Sequence, residues 1–238
     1  MRFRKQIVEL LQRRDLWGLL NKAAELHGHI CVGLALGVKT SAVALERLGV
    51  LPADDTDIIA VTDNNTCFAD GVQVVMGATL GNNRLIYRDA GRFALILVDR
   101  RGGKAVRISL AGRLTTPTME NPRYRDYWSR LPQLTEEKRQ EFRSLMEKAS
   151  AEVLEAPDAI FKIEEVPPDP ILDALKSTTR PSWTVCERCG VATLAERAVV
   201  VGGRHYCPDC AGLKTYAVVG RKITEFKPPS SSPTQTAF

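Results

Sequence analysis

Long apolar stretches and histidines are both scarce in this sequence of 238 residues, which has only three histidines. No apolar run approaches the roughly 20 residues that a membrane-spanning helix needs, so no transmembrane segment is predicted. The N-terminal stretch MRFRKQIVELLQRRD has neither an apolar core nor a small-residue cleavage site, so no signal peptide is predicted. A cytoplasmic location is therefore expected, and the six cysteines are expected to be thiols or metal ligands rather than disulfides.

A large excess of charge of one sign is also missing. The 33 Lys and Arg residues face 28 Asp and Glu residues, which gives a formal net charge of +5. An excess this small permits an acidic partner but does not require nucleic acid. A cysteine run of the ferredoxin type is absent as well, so an iron–sulfur cluster of that kind is not predicted.

Helix and strand patterns interleave along the first two thirds of the chain. Helical spacing of apolar residues predicts helices over residues 2–26, from about 33 to 48, after residue 67 and within 117–154. Asp15 and Thr135 are predicted to cap the helices that follow them, and Gly49 to end the helix before it. Short β-branched segments predict strands at 56–62, 84–89, 92–100, 104–110 and 159–166, with a hairpin turn at Gly102 and Gly103. This order predicts an α+β fold, with packed helices on a mixed or antiparallel sheet.

Composition also suggests where the domains end. The segment VPPDP is a proline-rich break, and the C-terminal KPPSSSPTQTAF is rich in Pro and Ser. The predicted organisation is therefore an α+β domain, a linker, a small zinc-ribbon or treble-clef-like domain and a tail that is basic and then disordered. The corresponding ranges are 1–165, 166–182, 183–215 and 216–238.

Four of the cysteines form the strongest chemical motif. Two C-x-x-C knuckles, CERCG and HYCPDC, supply Cys186, Cys189, Cys207 and Cys210, a spacing typical of a four-cysteine zinc site. Four thiolates leave no open position, so this zinc is predicted to be structural and to supply the folding energy of a segment too short for its own core. Two redox dithiols are the alternative. His205 is expected to be exposed or to lie behind the ligands.

The other two cysteines and two of the histidines suggest a second site. His27, His29 and Cys31 fall within five residues just before a predicted helix, and Cys67 follows a buried strand in DNNTCFADG. In an extended segment His29 and Cys31 point the same way, and with Cys67 they would give three ligands and an open fourth position. Such ligands suit zinc or iron. The alternative is that each cysteine is a small buried hydrophobe and each histidine a hydrogen-bonded core residue.

Two longer stretches carry a family resemblance. HGHICVGLALGVKTSAVALERLG and NNTCFADGVQVVMGATLGNNRLIYRDAGRFALIL resemble the FmdE family of formylmethanofuran dehydrogenase proteins, over roughly residues 15–165 and on into the ribbon. The family pattern has Pro where this chain has Val32, and commonly Lys where it has Arg92. Its basic Gly-Lys-Gly-Asn turn is Gly-Asn-Asn-Arg here, at 81–84.

The resemblance implies an active-site cleft in which His27, His29, Cys31 and Cys67 hold a second transition metal, for which zinc is the first choice. It also implies a zinc finger at the four C-terminal cysteines and an intertwined homodimer. The FmdE family is associated with operons of molybdenum or tungsten enzymes, so the implied client is such an enzyme. The chain lacks the signatures of the catalytic component and is not interpreted as the dehydrogenase itself.

Three functions remain open from the sequence. The first is a metal-binding accessory protein that assists assembly or maturation of a molybdenum or tungsten enzyme. The second is a hydrolase in which a zinc-bound water is activated with Asp63 or Asp70 as base, or in which Cys67 is the nucleophile and His29 its base. The third is a nucleic-acid-binding regulator that uses the ribbon and its basic residues, namely Arg197, Arg204, Lys214, Arg221 and Lys222.

Overall fold

The computed structural model describes residues 3–53, 57–176 and 181–227 of the chain. It divides into two compact units, Met1–Pro170 and Ile171–Phe238. The division falls inside the proline-containing segment that was predicted to be a linker. The Pro/Ser-rich tail that was expected to be disordered lies outside the described residues from Pro228 onward.

The helices of the described residues follow the apolar periodicity of the sequence. They are α1 to α8: Lys5–Gln12, Leu16–His27, Val32–Leu48, Cys67–Met76, Pro117–Glu120, Pro122–Ser129, Glu136–Glu155 and Asp169–Leu175.

Local capping chemistry sets several helix ends. The Asp15 carboxylate accepts a hydrogen bond from the Gly18 N–H at 2.8 Å, which starts α2 after the break that follows α1. Thr135 caps α7 in the same way, and Gly49 ends α3 in the left-handed conformation. All three were predicted from the sequence. The helical region expected over 117–154 is not continuous, because Asn121 ends α5 and caps α6.

The first unit is built on one mixed five-stranded sheet. Its strands are β1 to β5: Ile58–Thr62, Leu85–Tyr87, Ala94–Asp99, Lys104–Leu110 and Phe161–Val166. Their order across the sheet is β2-β1-β3-β4-β5. β1 and β2 are parallel, and the other neighbours are antiparallel. The α+β fold with a mixed sheet that the sequence predicted is therefore confirmed.

One face of this sheet packs against helices. Alternate residues such as Ala60, Leu97 and Ile108 join the buried core, as the period of two in a strand requires. Residues of α3 and of α7 complete that core, among them Val38 and Phe142. The helix-packed face fixes α3 and α4 over the sheet, so the helix ends that carry the cysteines have defined positions.

The second unit is a set of short hairpins. Its strands are β6 to β11: Trp183–Val185, Ala192–Leu194, Val199–Val201, Arg204–Tyr206, Tyr216–Val219 and Lys222–Glu225. β6 pairs with β7, β8 with β9 and β10 with β11, each pair antiparallel. The last hairpin lies where only a basic segment was expected from the sequence.

Membrane insertion can be judged only for the described helices. None of them is both long enough and apolar enough to cross a bilayer.

Candidate metal and thiol site

Three helix ends meet at one point in the first unit. His27 is the last residue of α2, Cys31 is the N-cap residue of α3, and Cys67 is the first residue of α4. The two cysteines lie 36 residues apart in the sequence numbering yet share one site, because α3 and α4 pack in very close contact. The sequence suggested one shared site for Cys31, Cys67 and a neighbouring histidine, and the fold places Cys31, Cys67 and His27 side by side.

Two glycines permit that close contact. A Cβ at Gly37 of α3 would lie 2.2 Å from the backbone oxygen of Phe68, which is shorter than any contact between such atoms. A Cβ at Gly71 of α4 would lie 2.7 Å from the backbone oxygen of Leu34. The helix backbones therefore touch directly, which glycine alone allows.

The three side chains present one ligand atom each within a small volume. The candidate ligand atoms of His27, Cys31 and Cys67 all lie within 4.8 Å of one another. The Cys31 Sγ lies 3.8 Å from the His27 Nε2. In a tetrahedral zinc site the bond lengths place sulfur and nitrogen ligands about 3.6 Å apart and two sulfurs about 3.8 Å apart. The donor set and the spacing therefore fit a transition metal.

The histidine is oriented as metal-ligating histidines usually are. His27 Nδ1 lies 2.7 Å from Asp70 Oδ2, and Asp70 is itself held by the Gln73 side-chain amide, which donates to Oδ1 at 3.0 Å. A carboxylate at Nδ1 fixes the ring and leaves Nε2 for the metal. From the sequence Asp70 was proposed only as a possible base, and its contact with His27 was not predicted.

The two thiols of the site differ in how readily they ionise. The hydrogen bond with Cys31 is the main cause that lowers the pKa of Cys67 to about 5, and the nearby His27 adds to it. The same hydrogen bond, together with burial, raises the pKa of Cys31 well above its usual range. Ionisation is therefore easier at Cys67 than at Cys31, and a thiolate is the form that binds metal or attacks a carbon.

His29 is not part of this group, although the sequence pattern favoured it as a ligand with Cys31 and as the base for Cys67. It is exposed, and its ring lies beside the His27 ring with centroids 4.4 Å apart. The physical reason is Gly28, which adopts a left-handed conformation with φ of 91° and ends α2. The chain does not continue as the extended segment that would align His29 with Cys31. The histidine whose ring nitrogen is grouped with the two sulfurs is His27.

Asp63, the other candidate base, is buried and surrounded by arginines. Its carboxylate accepts hydrogen bonds from Arg88 at 2.7 and 2.6 Å and from Arg92 at 3.0 Å. Both oxygens of this carboxylate therefore already accept hydrogen bonds from guanidinium groups. Of the two candidate bases, the one in contact with the thiol site is thus Asp70, through His27, whereas Asp63 is bound by arginines.

The four C-terminal cysteines form the second group. The sulfurs of Cys186, Cys189, Cys207 and Cys210 all lie within 4.8 Å of one another. The two knuckles have the same turn, since Gly190 N–H donates to the Cys186 carbonyl at 2.8 Å and Ala211 N–H to the Cys207 carbonyl at 2.9 Å. This geometry fits the predicted zinc ribbon.

The electrostatics of the knuckles also suit thiolate ligands. Burial opposes ionisation of Cys186, but backbone N–H groups of the knuckles outweigh it and lower its pKa to about 6. Burial and the hydrogen bond with Cys207 raise the pKa of Cys210 to about 12. Crowding of four thiols thus leaves protons on some of them, and a bound cation would release those protons.

His205 lies on β9, next to the buried Tyr206 and ahead of Cys207. Its backbone carbonyl accepts a hydrogen bond from the Glu187 N–H at 2.8 Å, which ties β9 to the first knuckle. It is partly exposed and is not one of the grouped ligands.

Comparison with known proteins gives a family match and a similar curated protein. The family model described as "FmdE, Molybdenum formylmethanofuran dehydrogenase operon" matches residues 26–162. A probable S-adenosyl-L-methionine-binding protein of Archaeoglobus fulgidus is 38% identical over 223 residues, which are 87% of this chain. The match covers 56% of that relative, so the chain spans about half the length of the curated protein it resembles.

A solved structure is also similar. It is described as a tungsten formylmethanofuran dehydrogenase FmdE-like protein from Syntrophus aciditrophicus. The TM-score is 0.51 at 23% identity, over 83% of this chain and 92% of that one. At that identity the similarity supports the fold alone.

Proposed function

Because the matching family model spans more than half of the chain, this protein belongs to the FmdE family, and on that premise we propose that it is a metal-binding accessory protein of a molybdenum or tungsten enzyme. The observation that carries the proposal is the group of His27, Cys31 and Cys67, with Asp70 behind the histidine. Three protein ligands leave a fourth position open for a group to be passed on or modified.

Each residue of the site would have its own role in binding the metal. Cys67 and Cys31 would hold the metal through sulfur, His27 through Nε2, and Asp70 would keep the imidazole in the correct tautomer. The bound metal would supply Lewis acidity and an exchangeable position. Two sulfur donors favour a soft transition metal over magnesium or calcium, which prefer oxygen ligands.

The second unit would serve as a docking element for the client enzyme. Many of its apolar side chains are exposed; they include Trp183, Val185, Val191, Val200, Val201, Tyr216 and Val218. Exposed apolar surface of this kind is typical of protein interaction sites. We also propose a reducing, cytoplasmic location, since all six cysteines are free thiols. The homodimer implied by the family resemblance stays a prediction.

Metal analysis of matched variants tests the first site. We expect two metal ions per chain in the wild-type protein, and one in Cys31→Ala, Cys67→Ala and His27→Ala, because each removes one of three ligands. His29→Ala is the matched control, since it removes a neighbouring imidazole that lies outside the group, and it should keep two ions. The measurement is elemental analysis of purified protein.

Asp70→Asn sharpens this test. It keeps the ligands but weakens the hydrogen bond at His27 Nδ1, and loss of such a partner typically weakens metal binding about 10- to 100-fold. We expect Asp70→Asn to lose one ion at a chelator concentration that leaves the wild type loaded. If the three ligand variants all retain two ions, the site does not bind metal and the accessory function fails.

A second function is favoured by one specific observation. His27 lies between the Cys31/Cys67 thiols and Asp70, so Cys67, His27 and Asp70 have the order of nucleophile, base and orienting carboxylate. The alternative proposal is therefore a cysteine-dependent hydrolase in which His27 takes the place that the sequence pattern gave to His29. The thiolate of Cys67 would attack a carbonyl carbon, and His27 would protonate the leaving group.

Ester hydrolysis separates the two functions. A hydrolase should lose turnover at least about 100-fold in Cys67→Ser and in His27→Gln, while the four-cysteine site keeps its zinc. A metal-binding accessory protein should show no turnover above background in any variant. The chain can also be tested for nucleic-acid binding at low salt, where no binding would remove the regulator hypothesis.

A further inference from the structure

Three arginines converge on one buried carboxylate at the end of β1. Arg88 contacts both oxygens of Asp63, Arg92 contacts one at 3.0 Å, and Arg107 lies 3.7 Å away. The Asp63 side chain is 2% exposed, whereas the side chains of Arg88 and Arg92 are 48% and 50% exposed. The carboxylate thus lies buried beneath the cluster, and the guanidinium groups of Arg88 and Arg92 lie between it and the solvent.

The cluster carries more positive charge than its carboxylate neutralises. Three guanidinium groups around Asp63 leave an excess of two positive charges. Two acidic groups lie nearby. Glu164, opposite Arg107 in the sheet, interacts with Arg107 and also with Lys162, which lies 2.7 Å away and balances its charge, and the exposed Asp89 accepts the Tyr87 hydroxyl. Concentrated positive charge that is partly desolvated attracts anions strongly.

One donor of the cluster has no acceptor. Arg107 lies between Val106 and Ile108, whose side chains join the core, so its own side chain points to the opposite face of the sheet. Its Nε–H is buried and has no hydrogen-bond partner among the residues that the structure describes. Burying a donor without an acceptor is costly, so a functional reason is expected.

The cluster lies close to the thiol site. Asp63 and Cys67 are four residues apart, so their Cα atoms are at most about 14 Å from each other. Phe68, next to Cys67, and Phe93, next to Arg92, are in ring contact with centroids 6.0 Å apart. A ligand bound at the arginines would therefore have to extend around the end of β1, over a distance of this order, to bring a second group to Cys67.

We propose that Arg88, Arg92 and Arg107 form an anion-binding site that holds a carboxylate or a tetrahedral oxyanion of the molecule presented to the His27, Cys31 and Cys67 group. Planar guanidinium groups match both kinds of anion through paired hydrogen bonds. Asp63 is a positioning residue that keeps the arginines in place without cancelling their charge. The inference extends the proposed function, because it states what class of ligand that site receives.

Anion binding by the full chain is the first test. Inorganic phosphate, tungstate and malonate are titrated separately by calorimetry at low salt, which distinguishes tetrahedral oxyanions from a dicarboxylate. We expect at least one of them to bind, and Arg92→Gln to weaken it about 10-fold or more through loss of one charge-assisted hydrogen bond. Arg92→Gln leaves the paired contacts between Arg88 and Asp63 intact. Arg143→Gln, which breaks an exposed ion pair with Glu136, is the matched control and should bind as the wild type does.

Alkylation tests the connection to Cys67. Iodoacetate is anionic and iodoacetamide is neutral; in both reactions the thiolate sulfur forms a bond to carbon and iodide leaves. If the arginines attract anions toward Cys67, the rate ratio of iodoacetate to iodoacetamide at the Cys67 peptide should fall at least about 3-fold in Arg92→Gln, as measured by mass spectrometry. Added phosphate should lower the wild-type ratio in the same way.

The outcomes separate this inference from the function it extends. Arg92→Gln should keep two metal ions per chain, so a loss of anion binding with full metal content supports the anion site. Equal anion affinity in wild type and Arg92→Gln overturns the anion site. It is also overturned if none of the three anions binds and the alkylation ratio is unchanged in Arg92→Gln. A protein that binds anions at the arginines but no metal at the cysteines would overturn the proposed function and leave the anion site standing.

Discussion

Replacing Cys186 with serine should unfold the second unit while the first unit keeps its structure. The reason is the size of the apolar core. Among the described residues from 181 to 227, only Cys186 and Tyr206 are buried, and Cys186 is a ligand. Two buried side chains cannot offset the conformational entropy of more than 40 ordered residues. A metal ion bound by the four thiolates would be the remaining source of folding free energy, and zinc in comparable sites is worth about 10–16 kcal/mol.

Hydrogen exchange measures this result directly. In the wild-type protein the amides of β6 to β9 should be protected, and in Cys186→Ser they should exchange as in an unfolded chain. The amides of β3 and β4, which lie in the central sheet of the first unit, should stay protected in both proteins. Elemental analysis should show one ion fewer per chain.

Cys31→Ser is the matched control for this experiment. It also replaces a buried cysteine and also removes an ion, but from the other site, so β6 to β9 should remain protected. Protection of those strands in Cys186→Ser, or in wild-type protein stripped of metal by a strong chelator, would contradict the argument. The unit would then have a source of stability that its burial does not reveal.

The features that the sequence predicted correctly are those set by near neighbours. Asp15, Gly49 and Thr135 define helix ends because each acts on backbone groups within a few residues. The zinc knuckles are equally local, since each pair of cysteines and the turn between them lies in a stretch of four residues. The hairpin of β10 and β11 was missed, although the turn at Gly220 with φ of 62° and the β-branched residues beside it are a recognisable signal.

The features that the sequence could not give depend on contacts between distant residues. Which histidine faces Cys31 depends on the left-handed turn at Gly28 and on Asp70, which lies 43 positions from His27. The convergence of Arg88, Arg92 and Arg107 on Asp63 depends on three pairings among four strands, β1 to β4. The residue pattern within one strand does not determine which strands pair. From the sequence alone, the three arginines therefore look like separate surface charges.

Gly37→Ala adds one methyl group, and we expect it to destabilise the first unit more than any other glycine-to-alanine change there. Its Cβ would lie 2.2 Å from the Phe68 oxygen and 3.0 Å from the Phe68 carbonyl carbon, and both atoms belong to the backbone of α4. A backbone cannot rotate away as a side chain does, so α3 and α4 must separate. Overpacking of this kind costs about 3 kcal/mol, which is a large part of the stability of a small domain.

The same change should empty the thiol site although it touches none of its ligands. Cys31 precedes α3 and Cys67 begins α4, so separating the helices moves the two sulfurs apart and breaks a geometry that tolerates only tenths of an ångström. We expect Gly37→Ala to lower the melting temperature by several degrees and to lose one metal ion per chain. Gly71→Ala should have the same effect, because a Cβ on α4 at this position would lie 2.7 Å from the backbone oxygen of Leu34 on α3.

Gly18→Ala is the control that isolates the cause. Its Cβ would also make short contacts, at 2.5 Å to Leu10 Cδ2 and 2.6 Å to Asp15 Oδ2, but these atoms are the ends of flexible side chains. Alanine is also the better helix former there, which offsets part of the cost of displacing the Asp15 cap, so the net change should stay within about 2 kcal/mol with both ions retained. If Gly37→Ala behaved like Gly18→Ala, the backbones of α3 and α4 would have room to move. The direct contact of two helices could then not be what brings His27, Cys31 and Cys67 together.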